Sequence, residues 1–127
     1  MTALVFIADD NQADIDLITL AFEENGMQVD LTVANDGLRA IDLLESIQPT
    51  LVMLDIKMPG ADGFEVLAWL RDQTRFRDVP VVVMSSSFAD SDQQRALQLG
   101  ASQFWSKPVR FYEMVEFVAS LRRILER

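Results

Sequence analysis

Four points in the sequence carry side chains suited to chemistry, and each follows an apolar run. Asp9 and Asp10 follow residues 4–8, Asp55 ends the run Leu51-Val52-Met53-Leu54, Ser85 follows residues 79–84, and Lys107 follows a short run around Phe104 and Trp105. Two or three carboxylates around one point make an oxygen-only site for a hard cation such as Mg²⁺, which takes one or two carboxylates and fills the rest with water and phosphate oxygens. Asp9, Asp10 and Asp55 can supply that set. A carboxylate can also attack phosphorus and hold the product as an acyl phosphate, and Asp55 is the candidate nucleophile. Crowded carboxylates repel one another, and a divalent cation and an ammonium relieve the repulsion. Lys107 offers the ammonium, and the Ser85 hydroxyl can donate to a phosphoryl oxygen. Such a reaction works by positioning and charge neutralisation. It needs no histidine base, and the sequence has no histidine.

These residues meet only if the chain brings the ends of its apolar runs together. The run to Asp55 is bounded by Pro49-Thr50 and by the turn-rich segment Lys57-Met58-Pro59-Gly60-Ala61-Asp62-Gly63. A continuous apolar run between turn signals reads as a strand buried on both faces. Asp is depleted in strands, so Asp55 belongs at the carboxyl end, where open α/β sheets bind ligands.

Around that strand, residues 4–8 form a first strand, and Asn11 caps a helix whose inner face holds Ile15, Ile18 and Phe22. Asn25-Gly26 closes that helix. Residues 29–33 alternate as a strand with one more exposed face, and Asn35-Asp36-Gly37 opens a helix over 38–47 with Ala40, Ile41 and Leu44 inward. A third helix spans 64–71 with Phe64, Leu67 and Leu70 inward, and a polar linker covers 72–78. A fourth strand spans 79–84, a polar fourth helix 90–99, and a short fifth strand lies within 101–106. A last helix runs from 111 to 126. Strand and helix alternate five times, which predicts an α/β fold with a five-stranded parallel sheet, helices on both faces and right-handed crossovers. All strands then point one way, and the four chemical features share one edge. Taken singly each has a plainer reading: a helix cap, a surface ion pair, a loop serine. Their joint placement at strand ends favours a site.

Composition narrows the functions further. The 127 residues fit one domain over 1–127 with its own core. The net charge of −9 and the lack of a basic run argue against nucleic-acid binding. The absence of cysteine excludes disulfides and thiolate–zinc sites. No charged leader precedes an apolar stretch and no run approaches membrane-spanning length, so a soluble, cytoplasmic protein is expected.

With Asp9-Asp10, Asp55 followed by Met58-Pro59-Gly60-Ala61-Asp62-Gly63, Ser85, and Gly100-Ala101 leading to Lys107-Pro108 in this order, the chain resembles a receiver domain of bacterial two-component response regulators over essentially its whole length. The likeness is to the single-domain kind, without an output domain, that serves chemotaxis, phytochrome-linked kinases and phosphorelays. It implies the strand order 2-1-3-4-5 of the flavodoxin-like receiver fold. It implies that Asp55 takes a phosphoryl group from a histidine kinase or phosphotransfer protein and loses it by slow self-dephosphorylation. It implies Mg²⁺ held by Asp10, Asp55 and the Lys57 backbone carbonyl, with Asp9 acting through water. Ser85 and Phe104 take the two switch positions, Lys107 contacts the phosphoryl group, and the Lys107-Pro108 bond is often cis.

Two departures from the family pattern stand out. Ser86 occupies a place where a small apolar residue is usual. Lys57 is long and cationic, and with Ser87 it is expected to shield the acyl phosphate from water and lengthen its life. The last helix is unusually apolar. A stripe of Met114, Val118, Leu121 and Leu125 should face the sheet. Phe111, Tyr112 and Val115 spread beyond it; the plainer reading is a wide core contact, and the functional one is that with Trp105 they form a partner face and a phosphorylation-sensitive homodimer.

Output is expected through a downstream protein target. The alternative is a pseudo-receiver, an interaction module that works without phosphorylation; the intact acidic pair, Asp55 and Lys107 count against it. A haloacid-dehalogenase-like phosphatase wants a second Asp two residues past the nucleophile, where Lys57 stands. A flavodoxin-like FMN carrier wants a phosphate loop where Asp9-Asp10 would repel phosphate.

Overall fold

The structure, a computed structural model, describes residues 2–86 and 89–126, so Ser87 lies outside the described residues. Among these, the elements run β1 (Ala3–Ala8), α1 (Gln12–Glu24), β2 (Val29–Ala34), α2 (Gly37–Leu44), β3 (Leu51–Asp55), α3 (Gly63–Asp72), a 3₁₀ turn (Thr74–Phe76), β4 (Val81–Ser85), α4 (Asp90–Gln98), β5 (Gln103–Ser106), α5 (Phe111–Ala119) and α6 (Arg122–Leu125). The strands form one parallel sheet in the order β2-β1-β3-β4-β5. Among the described residues no helix is long and apolar enough to cross a membrane.

The three inner strands are continuous apolar runs because both of their faces are covered. Side chains alternate between faces, which divides the core in two. Phe6, Ala8, Val52, Leu54, Val81 and Val83 pack with Ala40 and Leu44 of α2, Phe64, Leu67 and Leu70 of α3, and Ala96 of α4. Val5, Ile7, Leu51, Met53, Val82 and Met84 pack with Ile15, Ile18 and Phe22 of α1, with Met114 and Val118 of α5 and with Leu121 between α5 and α6. Each large side chain so buried contributes about 1.5–3 kcal/mol. β2, at the edge, keeps Asp30 exposed and its other side chains mostly half-buried, as its alternating sequence predicts.

Several boundaries differ from the sequence expectation, each for a tertiary reason. α2 stops at Leu44, not at 47: the Arg75 guanidinium donates to the Leu44 carbonyl at 2.6 Å and to that of Ile47 at 3.2 Å. The 72–78 linker is not wholly polar, because Phe76 is fully buried and stands 5.7 Å from Trp69, ring to ring. The last helix is two helices. At Ser120 and Leu121 the backbone tightens to i→i−3 bonds, with Leu121 N–H donating to the Val118 carbonyl at 3.0 Å. This buries Leu121 completely, and Arg122 then donates to the Asn25 carbonyl at the end of α1.

Trp105 does not belong to the expected partner face. It is 4% exposed and stacks on Phe117 at 4.8 Å. Phe104 and Trp105 are neighbours on a strand, so they point to opposite layers; Phe104 packs against the α2–α4 side. Val115 is half-buried against the α1-side core. Phe111 and Tyr112 remain exposed, at 39% and 59%.

Candidate functional site

The parallel sheet brings Asp9, Asp10, Asp55, Ser85 and Lys107 to one edge, as the strand ends require. Asp55 is the last residue of β3 and Ser85 the last of β4. Asp9-Asp10 and Lys107 lie just past β1 and β5. Lys107 N–H donates to the Ser85 carbonyl at 2.7 Å, which extends the β4–β5 pairing and fixes the lysine beside the serine. Asp9 N–H likewise donates to the Ala34 carbonyl of β2 at 3.0 Å. Two glycines permit the approach of α2 and α3. A Cβ on Gly63 would collide with the Asp55 carbonyl oxygen, and one on Gly37 with that of Ala61. Gly63 N–H donates to the Ile56 carbonyl at 2.8 Å, while Asp62 and Glu65 form a reciprocal cap that starts α3 there.

The site is a cleft of about 400 Å³ lined by Asp10, Asn11, Asp14, Asp55, Lys57, Ser86, Lys107 and Pro108. The Lys107 ammonium stands 3.2 Å from Asp55 Oδ2, 3.2 Å from Asp9 Oδ2 and 2.6 Å from Asp14 Oδ2. Asp9, Asp55 and Ser85 are buried; Asp10 and Lys57 are exposed. All peptide bonds of the described residues are trans, so Lys107-Pro108 lacks the cis bond frequent in the family it resembles.

Burial dominates the electrostatics. It pushes the Asp9 carboxyl up to about 6; the bond from Asn11 N–H opposes this, Asp55 adds to it and Lys107 reduces it. Burial also raises Asp55, against the pull of Lys107, a hydrogen bond with Asp9 and a backbone bond from Lys57. Burial disfavours the Lys107 ammonium, but the bond to Asp14 and the charges of Asp9, Asp55 and Asp14 outweigh it and hold the lysine above its ordinary value.

A divalent cation fits this donor set. One carboxylate oxygen from each of Asp9, Asp10 and Asp55 lies within 4.8 Å of the others. Among the described residues the buried Asp9 Oδ2 accepts no hydrogen bond of good geometry, while its sister oxygen accepts from Asn11 N–H at 2.9 Å. Its one charge partner is the Lys107 ammonium at 3.2 Å, which it shares with Asp55 and Asp14, so one ammonium faces three carboxylates and a cation among them would relieve the excess negative charge.

Sequence reasoning missed Asp14. It is the third residue of α1, where an acidic side chain is ordinary helix-start chemistry, and nothing local marks its bond to a lysine 93 positions away. Arg71 likewise carries no local signal of its role. It binds the carbonyls of Phe76, Val79 and Gly100 at 2.8–2.9 Å and ties α3 to the segments before β4 and β5.

Residues 5–119 match the family model described as the response regulator receiver domain. The chain belongs to that family. Receivers accept a phosphoryl group, bind a divalent metal at an acidic Asp cluster, and interact with histidine kinases or phosphotransfer proteins and with downstream targets. This receiver is 32% identical over 120 residues to the polar-differentiation response regulator DivK of Brucella ovis, a match covering 94% of this chain and 96% of that protein. Its fold superposes on the phosphorylated cyanobacterial phytochrome response regulator RcpA with a TM-score of 0.90 and 26% identity, covering 99% and 95% of the two chains. It is also similar to the Mn²⁺-bound form of response regulator Rcp1, with a TM-score of 0.85, 24% identity and coverage of 94% and 91%. At that identity the second likeness speaks to the fold.

Proposed function

We propose that residues 1–127 form one receiver domain that takes a phosphoryl group on Asp55, in a Mg²⁺-dependent reaction, from a histidine kinase or phosphotransfer protein. The observation that carries this reading is the Lys107 ammonium held 3.2 Å from Asp55 Oδ2 at the mouth of a cleft of carboxylates. An Asp55 oxygen attacks phosphorus, the P–N bond of the donor phosphohistidine breaks, and the imidazole leaves with a proton from solvent. A P–O bond replaces it. The ammonium of Lys107 and the hydroxyl of Ser85 receive the phosphoryl oxygens. Asp9, Asp10, Asp55 and the Lys57 carbonyl would hold Mg²⁺, which supplies positive charge against the transferring oxygens. Ser85 and Phe104 carry the change of state to the α4 side, where Phe104 packs. Output is by contact with a downstream protein in the cytoplasm. The exposed Phe111 and Tyr112, beside the half-buried Val115, form the face for a partner or a second copy.

Intact mass after incubation with acetyl phosphate tests the reading. One phosphoryl adduct that requires Mg²⁺ and is absent from Asp55→Asn is expected. No adduct under any condition would leave a pseudo-receiver instead.

A further inference from the structure

Asp14 is the acidic residue of the cleft that this scheme leaves without work. Its counterparts in two other helices show what an acidic third residue normally does: Glu65 in α3 accepts the Asp62 N–H at 3.4 Å, and Glu113 in α5 accepts the Arg110 N–H at 3.2 Å. In α1 the corresponding donor, Asn11 N–H, is already bound to Asp9 Oδ1 at 2.9 Å. Asp14 reaches the cleft instead, with Oδ2 2.6 Å from Lys107 Nζ. That contact is shorter than the 3.2 Å contacts of the same ammonium with Asp9 and Asp55. Both side chains are well shielded, at 14% exposure for Lys107 and 25% for Asp14.

We infer that Asp14 is a positioning residue: its bond to Lys107 holds the ammonium beside Asp55 before a phosphoryl group arrives. A lysine is a compact charge on a flexible four-carbon stem with three donors. A charge-assisted bond at 2.6 Å confines that stem and uses one donor, so that the longer 3.2 Å contacts with Asp9 and Asp55 are the ones to give way to phosphoryl oxygens. Asp14 acts through Lys107. It stands apart from the three carboxylates grouped for a cation, which are Asp9, Asp10 and Asp55. The inference rests on Asp55 being the phosphoryl acceptor.

The sequence contains two lysines, Lys57 and Lys107, so the exposed Lys57 serves as an internal reference for the reactivity of the other. In metal-free protein, acetic anhydride labelling read by peptide mass should rise several-fold at Lys107 relative to Lys57 in Asp14→Ala. At saturating Mg²⁺, uptake of phosphoryl from acetyl phosphate should slow about tenfold, as small misplacements of reacting groups do. Asp14→Glu should recover part of that rate, and Asp14→Ala should add nothing to Lys107→Ala. Asp14→Asn, which keeps the shape, serves if the alanine variant does not fold. An unchanged uptake rate and labelling ratio would overturn the positioning role alone. A loss of rate that persists in the Lys107→Ala background would also overturn it, because Asp14 would then act by another route. No adduct on the wild-type chain would overturn the acceptor reading and this one with it.

Discussion

Asp9 is where pH acts on this fold. Its carboxyl is pushed up to about 6 in the folded chain against 3.8 ordinarily, and Asp55 is raised in the same direction. Between those values the folded state binds the proton more tightly than the unfolded state does, so stability falls as pH rises through the window. In excess chelator, the urea midpoint should therefore be higher at pH 5 than at pH 7.5, by no more than about 3 kcal/mol of stability from Asp9. A midpoint that drops on acidification would contradict the assignment. Protons and a divalent cation compete for the same oxygens, so metal affinity should fall as pH drops through that window. Lys57 is exposed at the rim of the cleft, where it can shield an acyl phosphate from water. Lys57→Ala should lose its phosphoryl group several-fold faster; an unchanged decay rate would remove that role. The placement of Asp9, Asp55, Ser85 and Lys107 at one sheet edge was legible in sequence because each ends or closely follows a strand. Asp14 was not, since its role depends on a partner that only the tertiary fold supplies. Aromatic character alone does not distinguish Trp105 from a surface residue; the alternation of β5 turns it into the core.

The elements show where local pattern gives way to packing. The inner strands were legible because residues buried on both faces leave no room for polar side chains. Helix ends were less so. A long-range arginine cap ends α2, and i→i−3 bonds around Leu121 divide the last helix, features that apolar periodicity does not record. Phe76 was hidden in a polar segment, yet it fills the core between α3 and β4. Gly63 reads as a turn glycine, but in the fold it also lets α3 begin directly against the Asp55 backbone. Gly63→Ala should cost about 1–3 kcal/mol, as overpacking does, and should slow phosphoryl uptake by displacing the acceptor strand's end. Denaturant titration beside the uptake rate checks both. Wild-type stability in the variant would show that the contact relaxes freely.

For the whole molecule, the parallel sheet does the organising. Its crossovers deliver residues from position 9 to position 107 to one edge, and the two core layers give Phe104 and Trp105, on opposite faces of β5, different work. The start of α5 leaves Phe111 and Tyr112 in solvent. If that face pairs two copies, sedimentation should show a monomer that becomes a dimer on phosphorylation, and Tyr112→Glu should abolish the shift. A monomer in both states would assign the face to another protein. The central claim is that the carboxylate of Asp55, and no neighbour, receives the phosphoryl group. Borohydride reduces an acyl phosphate to an alcohol and would convert the acceptor aspartate to homoserine. Peptide mapping of phosphorylated, reduced protein should place homoserine at position 55. Homoserine at Asp9, Asp10 or Asp14, with Asp55 intact, would contradict the account.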